Sequence, residues 1–187
     1  MVIKTILDEY KLTAKILYEK NMLNLAVGSI SLKLENDKMI INNQNKSVYE
    51  EDFCKIVHIN KKDLSWKETS NDIEIHARIY KDLSHAKAVL NVFPLNIITY
   101  SLEHTYFKPI DYQGQQILDK VKIIEIDDIQ KWEENKDFII SKNLRDKNIV
   151  IIRGFGVYII ARDIKEAIKK AIILENSATI LLNSPHS

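Results

Sequence analysis

The stretch NIVIIRGFGVYIIARD, Asn148 to Asp163, restricts the fold more than any other. Two apolar runs, NIVIIRG and VYIIA, flank a Gly-Phe-Gly and read as paired strands around a tight loop. Gly154 and Gly156 mark a place where backbone must come close to something, because glycine goes where a side chain would obstruct. Loops of this kind usually present a polar or metal-binding group, and this one presents Phe155.

The remaining elements follow from periodicity. Val2 to Glu19 sets Ile3, Ile6, Leu7, Tyr10, Ala14 and Leu17 at helical steps. GSISLKL and KMIIN form a hairpin about Glu35-Asn36-Asp37, NNQNKS is loop, and YEEDFCKIV reads as a short helical turn. SNDIEIHARIYKDL is a helix whose face is Ile73, Ala77, Tyr80 and Leu83, with Asn71 and Glu74 as its capping box. AKAVLNVF is a buried strand stopped by Pro94, Leu95 to Leu102 a short helix, and KVKIIEI a strand. Asp128 to Asn143 is a helix anchored by Trp132 and Phe138. The last helix opens at Asp163 with Glu166 completing a second capping box, and its core face is Ile164, Ala167, Ile168, Ala171, Ile172 and Ala178. Hairpins at both ends of this order imply a mixed, largely antiparallel sheet covered by helices. No G-x-G-x-x-G or G-x-x-x-x-G-K-[ST] fingerprint is present.

The 187 residues suffice for one domain spanning 1–187, and 45% hydrophobic against 28% charged residues is ordinary for a soluble chain. A net charge of +1 argues against nucleic acid as the main partner. The one cysteine, Cys54, suits a reducing cytoplasm and reads as a buried thiol. Neither a signal peptide nor a membrane span is expected.

Four segments, in order, resemble the class II aldolase/adducin family, which includes fuculose-phosphate aldolase-like enzymes. They are VGSISLKL (Val27 to Leu34), TSNDIEIHARIY (Thr69 to Tyr80), AKAVLNVFP (Ala86 to Pro94) and the run from Val150 to Ala178. The resemblance implies an α/β/α sandwich and a homo-oligomer, commonly a tetramer with the active site between subunits. In active members three histidines hold zinc and a glutamate serves as acid/base. Zinc there would stabilise the enediolate left by carbon–carbon cleavage.

The family's metal positions fall here on Asn91, Phe93 and Phe155, and its acid/base position on Asp72. Phenylalanine offers a metal nothing and an amide oxygen is a poor zinc ligand, so no cofactor is expected and Phe155 is read as plugging a lost metal site. Gly28, Ser29, Ser70 and Asn71 fall on the family's phosphate-binding segments, with Ser31 nearby, although NNQNKS lacks the glycine of its third such loop. They imply a small phosphorylated or sugar ligand. Asp72 and His76, four apart on one helix, could share a proton or a cation, and Glu74 and His85 complete the candidates for a relocated metal. His58, His104 and His186 are scattered, and Lys11, Lys15 and Lys169-Lys170 read as solvated helix faces. The preferred reading is an aldolase-like scaffold without metal chemistry. The alternative is a divergent sugar-phosphate aldolase or epimerase.

Overall fold

The computed structural model describes residues 2–35 and 37–184. His186 and Asn36, the middle of the expected first hairpin turn, lie outside them. The chain runs α1 (Val2–Glu19), β1 (Ser29–Lys33), β2 (Lys38–Asn42), β3 (Cys54–His58), α2 (Ile73–Asp82), β4 (Ala88–Val92), α3 (Leu95–Ser101) and β5 (Tyr106–Phe107). It continues through α4 (Tyr112–Ile117), β6 (Val121–Ile124), α5 (Ile129–Leu144), β7 (Ile149–Ile152), β8 (Gly156–Ala161) and α6 (Ile164–Leu182). A 3₁₀ turn, Leu64–Glu68, precedes α2.

Among the described residues the strands form one sheet in the order β3-β2-β1-β4-β8-β7-β6-β5. Every pair is antiparallel except β6 with β7, which α5 connects as a crossover. Side chains alternate across a strand, so each face collects its own core. Ala88, Leu90 and Val92 of β4 and Val157 and Ile159 of β8 join α1, α3 and α6 on one face. Val89 and Ile160, with Met39, Ile41, Val150 and Ile152, join α2 and α5 on the other. The result is a sheet between two helical layers, the α/β/α sandwich that the family resemblance implied and a form of the helix-covered, largely antiparallel sheet expected from the order of elements.

Helix starts follow local chemistry in most places. Asp128 accepts from Lys131 N, Asp111 from Gly114 N, and Asp163 from Glu166 N at 2.8 Å, while Glu166 reaches back to Arg162 N. α3 has no side-chain cap of its own, and Glu175 of α6 supplies one by accepting from Asn96 N and Ile97 N.

Six expectations need correction. Cys54–His58 is an edge strand and not a helical turn, because a full ladder with β2 satisfies its backbone. β5 and α4 are further elements that the periodicity did not announce. Phe138 is about half exposed under Arg78 and Lys142, leaving Trp132 as the buried anchor. Ile3 is exposed, and Ile173 and Leu174 rather than Ile172 occupy the core. Lys170 is buried and pairs with Glu166 at 2.7 Å, so it is no solvated face. Asn71 caps nothing: the N-cap position of α2 is Asp72, which makes no side-chain cap bond, and Glu74 pairs instead with Lys62.

The contrast between the two expected capping boxes is measurable. Asp163→Ala should cost about 1 kcal/mol, a fall of about 2–4 °C in melting temperature, while Asn71→Ala should stay within about 0.5 kcal/mol of the parent. Equal losses in thermal denaturation would show that Asn71 does cap α2.

Candidate functional site

Four segments meet at one end of β1 and β4 and enclose a cleft of about 260 Å³. They are the loop from Leu23 to Gly28, the loop from Asn42 to Val48, the approach to α2 at Ser70 to Asp72, and the strand end carrying Asn91 and Phe93. Phe155, Lys136 of α5, Tyr18 at the end of α1 and Phe53 complete the lining. Gly28, Ser70, Asn71, Asp72, Asn91, Phe93 and Phe155, singled out from scattered positions of the sequence, are thus neighbours around one space. Ser29 lies just beneath, fully buried and bonded to Asp72.

Each wall has a local cause. Gly28 adopts φ 99, and a Cβ on it would lie 2.6 Å from Leu23 Cδ1 and 3.2 Å from the carbonyl of Asn91. The loop after β2 contains no glycine, yet it turns into the cleft because Asn45 takes φ 58, a conformation asparagine tolerates. Its ends are pinned: Asn43 Nδ2 donates to Asp52 O, Ser47 N donates to Glu50, and Lys46 bridges Glu50 and Asp52 at 3.0 and 2.9 Å.

The two glycines of the β7–β8 hairpin do different work. Gly154, at φ 64, makes the turn, which Arg153 fastens by donating to the carbonyls of Ser101 and Leu102. Gly156 provides close approach: a Cβ there would stand 3.0 Å from Val92 O, 3.4 Å from Asn91 Oδ1 and 3.6 Å from the Phe93 ring. Phe155 therefore packs on Phe93, with ring centroids 5.6 Å apart and planes tilted by 57°. The pair forms a wall and does not plug the space, since Phe155 keeps 36% of its surface exposed and the cleft stays open.

Asp72 is the floor. Its Oδ2 accepts from Ser29 Oγ at 2.9 Å and from Asn91 Nδ2 at 2.6 Å, and Asn91 Nδ2 links it to the Tyr158 hydroxyl at 3.1 Å. This inward commitment explains why an aspartate at a helix N-cap does no capping. Burial, and after it the Asp72 charge, push the Tyr158 phenol well above its ordinary value.

Behind Asp72 stands His76, wholly buried and bonded by both ring nitrogens: Nε2 to Ser29 Oγ at 2.8 Å and Nδ1 to Ser31 Oγ at 2.6 Å. Ser31 also meets the Tyr80 hydroxyl at 2.8 Å. Counting protons assigns the direction of this chain. Ser29 gives its one hydrogen to Asp72, so it accepts from Nε2–H; Nδ1 then accepts from Ser31, and Ser31 from Tyr80. Desolvation lowers the His76 pKa to about 4, against an opposing pull from Asp72, so the ring is neutral at pH 7. Asp72 and His76 therefore communicate through Ser29 and not by direct contact.

The donors facing the cleft do not suit zinc, which takes three protein ligands in catalytic sites. Among the described residues no group of three His, Cys, Asp or Glu could hold a metal ion. His85 is exposed beyond the far end of α2, Glu74 is engaged with Lys62, and both nitrogens of His76 are occupied. Asn42, Asn43, Lys46, Lys136 and Tyr158 belong to the site without having been picked out from sequence. The one available signal was Tyr158, a hydroxyl in an otherwise aliphatic strand.

Comparison with known proteins identifies the family and the fold. Residues 11–182 match the family described as Class II Aldolase and Adducin N-terminal domain. No curated protein matches the chain by sequence. The fold is similar to L-fuculose-1-phosphate aldolase from Thermus thermophilus, with TM-score 0.82 and 19% identity over 92% of this chain and 90% of that one. It is similar also to YgbL from Escherichia coli, a putative aldolase/epimerase/decarboxylase, with TM-score 0.84 and 14% identity over 100% and 93%. A sugar-phosphate aldolase from Thermotoga maritima gives TM-score 0.75 and 19% identity over 97% and 95%.

Two outcomes test the site's construction. Gly28→Ala should lose about 1–3 kcal/mol of stability by thermal denaturation, since the new methyl meets both a strained φ and Leu23. His76 has a folded pKa below its ordinary 6.5, so the unfolded chain binds more protons as acid is added. Its contribution is whole above pH 6.5 and is lost as pH falls toward and through about 4, on the order of 2–3 kcal/mol. Urea titrations between pH 7 and pH 4 should show a shallower loss in His76→Gln; parallel slopes would refute the assignment.

Proposed function

Because this chain belongs to the class II aldolase and adducin family, we propose that its cleft binds a small phosphorylated or polyhydroxylated ligand as a non-catalytic scaffold. The observation that carries this reading is the cleft itself. Gly28, the turn through Asn45, and Ser70 with Asn71 supply backbone and hydroxyl groups of the kind that cradle anions, around a space of about 260 Å³. Such a volume fits a compact metabolite and not a polymer.

What argues against aldol chemistry is the kind of groups at its far end. Cleavage next to a carbonyl needs an electrophile to hold the developing oxyanion. Here that end presents a carboxylate, an amide and two phenyl rings. Asp72 Oδ2 is moreover taken by Ser29 and Asn91.

The same reading takes the protein as cytoplasmic and homo-oligomeric. Among the described residues no helix is long and apolar enough to cross a membrane. Leu95, Leu102, Tyr106, Ile110 and Tyr112, all exposed on the stretch from α3 to α4, are apolar surface that a second copy would cover.

A second reading has one observation behind it: Asp72 is half-buried and still lines the cleft, where a general base would be wanted. On that reading the protein is a divergent sugar-phosphate aldolase or epimerase. Calorimetric titration with a ketose 1-phosphate, run beside a carbon–carbon cleavage assay, separates the two. A scaffold should bind without turnover, and Asp72→Asn should leave its affinity within about threefold, below the contribution of a charge-assisted hydrogen bond. Turnover that falls about 100-fold or more in Asp72→Asn would establish the enzyme instead.

A further inference from the structure

Asn91 carries more information than its place in the sequence suggests. Its Nδ2 donates to Asp72 Oδ2 at 2.6 Å and to the Tyr158 hydroxyl at 3.1 Å, which fixes the amide, since the reverse orientation would set an oxygen against the carboxylate. Its Oδ1 is therefore an acceptor, and it is buried with no hydrogen-bond partner in a residue only 2% exposed that lines the cleft. A buried acceptor without a donor is rare in folded proteins and calls for something that supplies one. Asn43 repeats the pattern. Its Nδ2 is fixed by Asp52 O at 2.6 Å, and its Oδ1, buried in a residue of the lining on the loop after β2, is unpartnered.

The surroundings select the kind of donor. Asn91 Oδ1 and the Phe93 ring both approach Gly156, at 3.4 and 3.6 Å from where its Cβ would be, so the free acceptor and the aromatic wall stand side by side. Asp72 is bonded to the same asparagine, and Phe155 packs on Phe93. One carboxylate, an unpaired amide oxygen and two phenyl faces repel an anion and offer no donor to the lone pairs of a neutral hydroxyl. They suit a group that only donates and carries positive charge, held by charge-assisted hydrogen bonds and by the ring faces. The two lysines of the lining are already matched by carboxylates, Lys46 by Glu50 and Asp52 and Lys136 by Glu133.

We infer that the Asp72–Asn91–Phe93–Phe155 end of the cleft receives a primary ammonium group, so that the ligand is an amine-bearing phosphate. This rests on the reading of the cleft as a ligand site and adds the chemistry of the ligand's second end. The amine occupies the ground between Asp72 and the Phe93–Phe155 wall, and the phosphate takes the end lined by Gly28, Asn45 and Ser70.

Calorimetry on the full chain at pH 7 tests this with matched probes: aminoethyl and aminopropyl phosphate against hydroxyethyl and hydroxypropyl phosphate, with inorganic phosphate alongside. At least one amine should bind about tenfold or more tightly than its hydroxyl counterpart. Asp72→Asn should remove that preference, and Phe155→Leu, at a partly exposed ring where folding is not at stake, should reduce it about threefold while phosphate binding is kept. Equal affinities within each pair, with phosphate still bound, would overturn the ammonium site and leave the cleft reading intact. A preference that survives both substitutions would overturn it as well, by placing the amine elsewhere. No heat with any phosphorylated probe would end both readings together.

Discussion

The hydrogen-bonded chain from Tyr80 through Ser31, His76 and Ser29 to Asp72 is the interaction on which the site depends. It joins the buried face of α2 to β1 with polar groups, where the rest of that layer uses Ile73, Ile79 and Val89. Such a chain tolerates no partial satisfaction, since each hydroxyl has one proton to give and the neutral imidazole needs one donor and one acceptor. Its register sets the start of α2 against the end of β4 and so decides where the Asp72 carboxylate stands. The helix gives up its own N-cap bond for this, a local rule broken where function is expected to break it.

The β7–β8 hairpin supplies the second constraint. Arg153 and Gly154 tie its turn to the C-terminal end of α3, while Gly156 lets the strand lie directly against Val92 and Asn91. A side chain at either glycine would push the turn away and take Phe155 with it. The aromatic wall is thus a product of backbone proximity, and the cleft remains open because two rings meeting at 5.6 Å close on each other and leave the neighbouring space free.

Much of the architecture was legible in the chain itself. The apolar runs of β4, β7 and β8, the Asp163 and Asp128 helix starts, and the amphipathic faces of α1 and α6 all reflect short-range periodicity or a side chain bonding a backbone three residues away. The errors have a common cause. Cys54–His58 became a strand through pairing with β2, and Lys170 was drawn inward by Glu166 one helical turn before it. Asn71 lost its expected cap because the helix begins one residue later, at an aspartate engaged elsewhere. The loop around Asn45 was passed over for want of a glycine, although asparagine reaches the same left-handed backbone at modest cost.

By itself, then, the sequence determined the layering, the family and the identity of several residues that meet at the cleft. These depend on the alternation of apolar and polar positions and on short motifs, both written along the chain. Only the tertiary structure decided that the cleft is open, that Phe155 is a wall, that Asp72 is held by two donors, and that Asn91 keeps an unanswered acceptor. Those outcomes depend on contacts between residues as far apart as Asn91 and Tyr158, where distance and angle fix which atom donates and which is left without a partner.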